Sequence, residues 1–242
     1  MQGGPSIWIG YDAREAEAFS VCRASIRHRL NQPIPIRGLV MRDLIYRGLY
    51  DRPTEHRASA ADKPIMWDVI SDAPMATEFA ISRFLVPTLA KTGWALFMDC
   101  DMMALTDLSD VFRDLDPSKA VYCVKHKHDP IKIRKMDNQI QTFYARKNWS
   151  SFCLFNCEHP SNRALDLVMV NTLPGRDLHR FCWLKDEEIG ALDPSWNFLV
   201  GHTDPVIQPK IIHWTDGGPW FRDYENVEFA KDWLDERDRV VC

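Results

Sequence analysis

Two aspartates one residue apart, Asp99 and Asp101, close the stretch WALFMDCDMMAL, where an apolar run from Trp94 to Met98 gives way to acid. Carboxylates forced together repel, and one takes up a proton unless a cation lies between them. A divalent ion resolves the conflict, because carboxylates are hard oxygen ligands for Mg²⁺ or Mn²⁺. Its remaining positions are open to a diphosphate. If the run is a strand, residues two apart project to one side, so Asp99 and Asp101 converge while Cys100 points away. Ligands of open α/β sheets bind at the carboxyl ends of strands. The plain alternative is that Asp99 caps the following turn and Asp101 is solvated, since short motifs recur by chance.

Other residues could complete such a site. His213, in KIIHW, is either a satisfied strand histidine or the nitrogen of an O,O,N set that favours Mn²⁺. Gly217 and Gly218 before Pro219 could turn backbone N–H groups toward phosphate, or form only a tight turn. Arg83 reads as a bidentate clamp on phosphate or sugar oxygens, or as a surface arginine with a buried stem. Asp12 suits a helix cap and can also meet a ligand. The acids Asp186, Glu187 and Glu188 fit a helix start, where the dipole favours them, or the stabilisation of an oxocarbenium-like centre. Lys125, His126, Lys127, His128, Lys132, Arg134 and Lys135 form a basic run, which is a solvated loop or a cover for a diphosphate. Cys153, Cys157 and His159 could suggest zinc, but their spacing fits no strong pattern.

The elements that must hold these residues alternate. SIWIG (Ser6 to Gly10) reads as a strand, followed by a helix with Phe19, Cys22, Ile26 and Leu30 at helical spacing. Asp12 and Glu15 have the spacing of a capping box at its start. Pro33 to Val40 reads as a second strand, and Met41 to Lys63 as an irregular excursion. Met75 to Ala90 carries a helical stripe that Pro87 should end or kink, and WALFM follows as a strand. Later strands are expected at AVYCVKH, SSFCLFN and KIIHW, with helices at Ser161 to Asn171 and Val227 to Arg237. The expected fold is α/β, a single Rossmann-like, mostly parallel sheet flanked by helices.

Composition bounds the function. With 242 residues, 45% apolar and 26% charged, the chain can bury one core, and no linker argues for a split. A single domain over 1–242 is expected. A formal net charge of -4 gives no bulk attraction to nucleic acid. Seven scattered cysteines suit reduced thiols, and no window is apolar enough to span a bilayer. The expectation is a cytoplasmic enzyme with no transmembrane segment, which leaves peripheral membrane contact and oligomeric state open.

Thr77 to Phe112, TEFAISRFLVPTLAKTGWALFMDCDMMALTDLSDVF, resembles the corresponding block of glycosyltransferase family eight. There an Arg-bearing helix ends near a Pro, a strand follows, and the DxD opens a DLSxLF-like turn. DEEIGALDPSWNFL (Asp186 to Leu199) is similar to that family's DQDILN segment and later WNF, and HWTDGGPW (His213 to Trp220) to its HxxGxxKPW element. The resemblance implies a GT-A fold, a nucleotide-sugar donor, UDP-sugar being favoured, a saccharide or other hydroxyl acceptor, dependence on Mn²⁺ or Mg²⁺, and retention of anomeric configuration. It implies that Asp99, Asp101 and His213 ligate the metal and that Arg83 contacts donor phosphate or sugar. Asp186 and Glu187 would face the transferred sugar, Asp12 the base or ribose, and Cys100, Gly217, Gly218 and Trp220 would line the donor site. The Lys that the family places before Pro-Trp is absent, and Gly218 stands in the comparable place. Rival readings are an Mg²⁺-dependent phosphohydrolase with Asp99 as nucleophile, a nucleotidyltransferase, and a non-catalytic nucleotide-sugar binding protein.

Overall fold

A computed structural model describes residues 3–58, 64–126, 146 and 148–241. In chain order the elements are β1 (Ser6–Tyr11), α1 (Ala16–Arg29), β2 (Ile36–Val40), α2 (Met41–Tyr46), β3 (Thr54–Arg57), β4 (Ile65–Asp68), β5 (Ala73–Pro74) and α3 (Val86–Ala90). There follow β6 (Trp94–Met98), β7 (Met102–Ala104), β8 (Val121–Cys123), β9 (Phe152–Asn156), α4 (Pro160–Ala164), α5 (Leu167–Thr172) and α6 (Gly175–His179). The chain closes with β10 (Ile189–Ala191), β11 (Phe198–Leu199), β12 (Ile211–His213) and α7 (Ala230–Val241).

The main sheet has the order β10-β8-β9-β6-β1-β2. Only β9 runs against the rest, so β1 with β2, β1 with β6 and β8 with β10 pair in parallel. Its central strands are buried along nearly their whole length. That burial explains why WALFM and FCLF read as continuous apolar runs rather than alternating ones. The core is continuous across the sheet and includes Ile7, Ile9, Leu96, Phe97, Phe152 and Phe155.

A second sheet, β11-β12-β7, brings a distant segment to the end of β6. β7 follows directly from the paired aspartates, and β12 pairs with it antiparallel, with His213 opposite Met102. The Trp214 N–H donates to the Asp101 carbonyl at 3.0 Å, which continues the pairing to the acidic turn itself. A second apolar cluster, including Met103, Ile212, Trp214 and Trp233, backs this sheet.

Several local expectations need correction. Pro87 opens α3 rather than ending a helix: it stands in the first turn, where its missing N–H costs nothing. The residues before it form a 3-10 turn, Ser82–Leu85. Asp12 caps the 3-10 turn Ala13–Glu15 by accepting from the Arg14 N–H, but Glu15 does not close a capping box. Its carboxylate instead accepts from Cys100 Sγ at 3.5 Å. Within Met41 to Lys63 the chain forms α2 and β3, and the helix expected at Ser161 to Asn171 is split into α4 and α5. Asp166 caps the second of these through the Met169 N–H.

A third, antiparallel sheet, β3-β4-β5, is tied to α5 by a buried ion pair. Arg52 and Asp68, with side chains 0% and 1% exposed, meet at 2.5 Å, and Arg52 Nη1 donates to the carbonyls of Val170 and Leu173. Burial pushes the Asp68 carboxyl up, but hydrogen bonds from Arg52 and Ser71 outweigh it and hold the group below its usual value. Asp68→Asn leaves the guanidinium buried and uncompensated, and should cost about 3–5 kcal/mol of unfolding free energy. Because the folded pKa is the lower one, the carboxylate's contribution is fully present above the unfolded value of 3.8 and lost as pH falls through the folded one. Urea titrations of both proteins should therefore show a stability gap that is constant near neutrality and closes in acid.

Candidate functional site

The site lies in the turn between β6 and β7. Asp99 and Asp101 sit just beyond the carboxyl end of β6, and His213 ends β12 beside them. One ligand atom from each of the three lies within 4.8 Å of the others. His213 is 2% exposed, and its Nε2 faces Asp101 Oδ1 at 3.3 Å. Among the described residues no hydrogen bond reaches that Asp101 oxygen, although it is shut away from solvent. A buried carboxylate oxygen without a donor calls for a cation. Neighbouring oxygens around an octahedral ion with bonds of about 2.1 Å stand about 3 Å apart, so the spacing fits a divalent ion. The O,O,N donor set suits Mn²⁺.

Arg83 belongs to the same cluster, and its place follows from packing. A Cβ at Gly10 would lie 2.4 Å from the Phe79 ring, so the glycine in β1 is what lets Phe79 close over the strand. The Arg83 guanidinium then lies 5.4 Å from the centre of that ring and 4.8 Å from Phe97. Its Nη1 pairs with Asp99 Oδ1 at 2.9 Å and donates to the Ser150 carbonyl at 2.9 Å, while Nε donates to Ala80 at 3.1 Å. Arg83 is thus a buried brace for Asp99.

Two acids on the first loop complete the surroundings. Asp12 is fully buried. Burial raises its carboxyl pKa, but the Arg14 side chain and the Arg14 and Glu78 N–H groups hold it below its usual value. Glu15 was read from the sequence only as a cap, yet burial first, then the charges of Asp101 and Asp12, push it up to about 8. It is an acid that keeps its proton at neutral pH beside a carboxylate pair. Its spacing from Asp12 carried no sign of this, because Asp101 and Cys100 come to it from the turn after β6.

The other expected residues stand further off. Cys100 is buried and turned toward Glu15, as strand alternation implied. The Gly217 N–H donates to the Trp214 carbonyl, so that donor is spent on the turn. Gly218 lies under Trp220, whose ring a Cβ would meet at 2.1 Å, and the indole packs against Trp214 and Trp233. Asp186 and Glu187 are exposed, and Asp186 pairs with Arg146. They open the turn into β10, which runs in the direction of β6, so they precede a strand where Asp99 follows one. Among the described contacts none joins them to Asp99, Asp101 or His213. In the basic run, Lys125 donates to the Ile189 carbonyl, and burial with the nearby His213 and His202 lowers the His126 pKa to about 4. Lys127, His128, Lys132, Arg134 and Lys135 lie outside the described residues. Cys153 and Cys157 are buried free thiols.

No family model matches the chain. Protein CDI of Arabidopsis thaliana is 43% identical over 238 residues, covering 96% of this chain and 85% of the relative. The chain belongs to the CDI family. Solved glycosyltransferases share the fold of this CDI-family chain. GlyE of Streptococcus pneumoniae TIGR4 superposes with a TM-score of 0.60 at 11% identity, over 97% of this chain and 61% of that one. The galactosyltransferase LgtC, solved in complex with donor and acceptor sugar analogs, gives 0.58 at 14% identity, over 98% and 96%. The bifunctional glycosyltransferase WbbM gives 0.54 at 14% identity. The chain spans about half of WbbM, at 50% of its length. The α/β fold is that of GT-A glycosyltransferases. No helix among the described residues is long and apolar enough to cross a membrane.

Replacing Arg83 with methionine keeps the packing against Phe97 but removes the positive charge that pairs with Asp99 beside Asp101. Arg83→Met should lose about 3 kcal/mol of stability in chelator. Added Mn²⁺ should restore part of that loss, as read from thermal midpoints with and without the ion.

Proposed function

We propose that the chain is a glycosyltransferase that moves a hexose from a nucleoside-diphosphate sugar to a hydroxyl acceptor with retention of configuration. The observation that carries this reading is the convergence of Asp99, Asp101 and His213 at the carboxyl rim of β6, in a fold that solved glycosyltransferases share. The resemblance to glycosyltransferase family eight favours a UDP-hexose.

Asp99, Asp101 and His213 hold the divalent ion, Mn²⁺ by the donor set. Such an ion supplies neutralisation of the leaving diphosphate. Arg83 pairs with the Asp99 carboxylate and keeps it aimed, so it acts on the donor through Asp99. Asp12 is assigned to the ribose or base on the resemblance alone, since its buried carboxylate is engaged by Arg14 and the Glu78 N–H. The acceptor hydroxyl attacks from the face the diphosphate leaves and passes its proton to the departing phosphate oxygen, so the chain need not supply a strong base. Asp186 and Glu187 are assigned to the sugar face on the motif alone.

Asp101→Ala should abolish Mn²⁺-dependent turnover of the donor while leaving the protein folded. Thermal-shift screening of nucleoside diphosphates with and without Mn²⁺ identifies the nucleotide, since a ligand of the native state must raise its stability. Assays of transfer and hydrolysis with the sugars of that nucleotide then separate an enzyme from a binding protein. Turnover retained by Asp101→Ala, or phosphate ester hydrolysis lost on Asp99→Asn, would exclude the proposal.

A further inference from the structure

His213 is useful to a metal only if the nitrogen facing Asp101 carries a lone pair, and a neutral imidazole can place its proton on either nitrogen. The hydrogen bonds behind the ring decide which. His213 Nδ1 lies 2.9 Å from Asn197 Oδ1. That Asn197 atom is an oxygen because the amide's other end, Nδ2, donates to Ser151 Oγ at 2.9 Å. Ser151 Oγ accepts there because its own proton goes to the Asn148 carbonyl at 2.8 Å. Asn148 takes a left-handed conformation, φ 63°, in the turn that carries the carbonyl acceptor. Every partner in the sequence carbonyl, hydroxyl, amide, imidazole thus has its direction fixed by the one behind it. The three side chains Ser151, Asn197 and His213 are 5%, 0% and 2% exposed, so water does not offer an alternative partner.

We infer that Asn197 and Ser151 are positioning residues that lock His213 with its proton on Nδ1 and its Nε2 lone pair toward Asp101. The inference deepens the metal-binding reading above and rests on it. Ligating histidines characteristically donate their second nitrogen to a carbonyl or carboxylate, which fixes the tautomer and raises ligand basicity. Here a side-chain amide does so, and its own orientation is set by a serine. Ser151 also accepts the Asp99 N–H on its carbonyl at 3.0 Å. One residue therefore fixes the backbone of one ligand and, through Asn197, the tautomer of another.

The test is made on the full chain, with selective ¹⁵N labelling of histidine and long-range correlation of ring nitrogens in the metal-free protein, followed by titration with Mn²⁺ alone. In the wild type, His213 should show a protonated Nδ1 and an unprotonated Nε2. Asn197→Leu removes the acceptor at similar volume, so the proton should move to Nε2 and Mn²⁺ affinity should fall about 10- to 100-fold. Asn197→Asp keeps an acceptor, the Ser151 hydroxyl turning to donate to it, and should restore both the tautomer and the affinity. Ser151→Ala frees the amide to rotate and should give a mixture of tautomers with an intermediate affinity, which keeps the test available if Asn197→Leu does not fold. A wild-type His213 protonated on Nε2 overturns the inference. So does an Asn197→Leu protein with the wild-type tautomer and affinity, provided that Mn²⁺ binding is still lost in Asp101→Ala. Wild-type protein that binds no Mn²⁺ overturns the metal reading itself, and the inference with it.

Discussion

Asp99 and Asp101 are held within reach of one another and of an imidazole, in a turn shielded by the core, and like charges so placed would separate or protonate if the surroundings allowed. The chain keeps them from separating. Arg83 supplies a fixed positive charge to Asp99, the Ser151 carbonyl accepts the Asp99 N–H, and the Trp214 N–H donates to the Asp101 carbonyl. The electrostatic cost is thus met on the side of Asp99, while Asp101 Oδ1 faces His213 with no proton donor between them. That asymmetry is what makes the cluster read as a cation site rather than as a structural ion pair.

The fold follows from the need to hold that turn from both sides. β6 delivers the aspartates from the centre of the main sheet, and β7 leaves them at once to pair with β12, which returns from far along the chain with His213. Antiparallel pairing fixes His213 opposite Met102, and a slip of one residue would turn the imidazole to the opposite face. The tryptophans behind β12 have this structural use. Trp214 and Trp233 bury the outer side of the small sheet, and Trp220 lies over Gly218 to close it.

What could be read from the sequence was whatever repeats locally. The apolar runs SIWIG, WALFM and SSFCLFN read as strands, because strand character is a property of neighbouring residues, whereas His213 was joined to the DxD by the family-eight resemblance. Contacts between segments were hidden. Glu15 stands where a capping box would place it, and nothing nearby says that Cys100, in the turn after β6, will meet its carboxyl group. Arg83 could be read as a phosphate clamp, since the sequence does not show that Gly10 admits Phe79 and that the guanidinium is thereby drawn into the core beside Asp99. Pro87 shows the same limit on a smaller scale, because one proline can end a helix or begin one, and only the preceding turn decides.

The departure from the family-eight pattern bears on where positive charge is kept. That pattern places a lysine before Pro-Trp, and here Gly218 occupies the place under the Trp220 ring, with no room for any side chain. A Cβ at that position would meet the indole at 2.1 Å, so a lysine there requires the Trp220 ring to shift. The charge facing a diphosphate must then come from elsewhere. Arg83 is engaged with Asp99 and Ser150, Lys125 with the Ile189 carbonyl, and His126 is held neutral by burial and its histidine neighbours. On the proposed function, with those groups committed, the share of neutralisation left to a cation on Asp99, Asp101 and His213 would be larger than in a site that has its own lysine. On the proposed function, the tautomer of His213 then matters, because a ring turned proton-first toward that cation would weaken its hold.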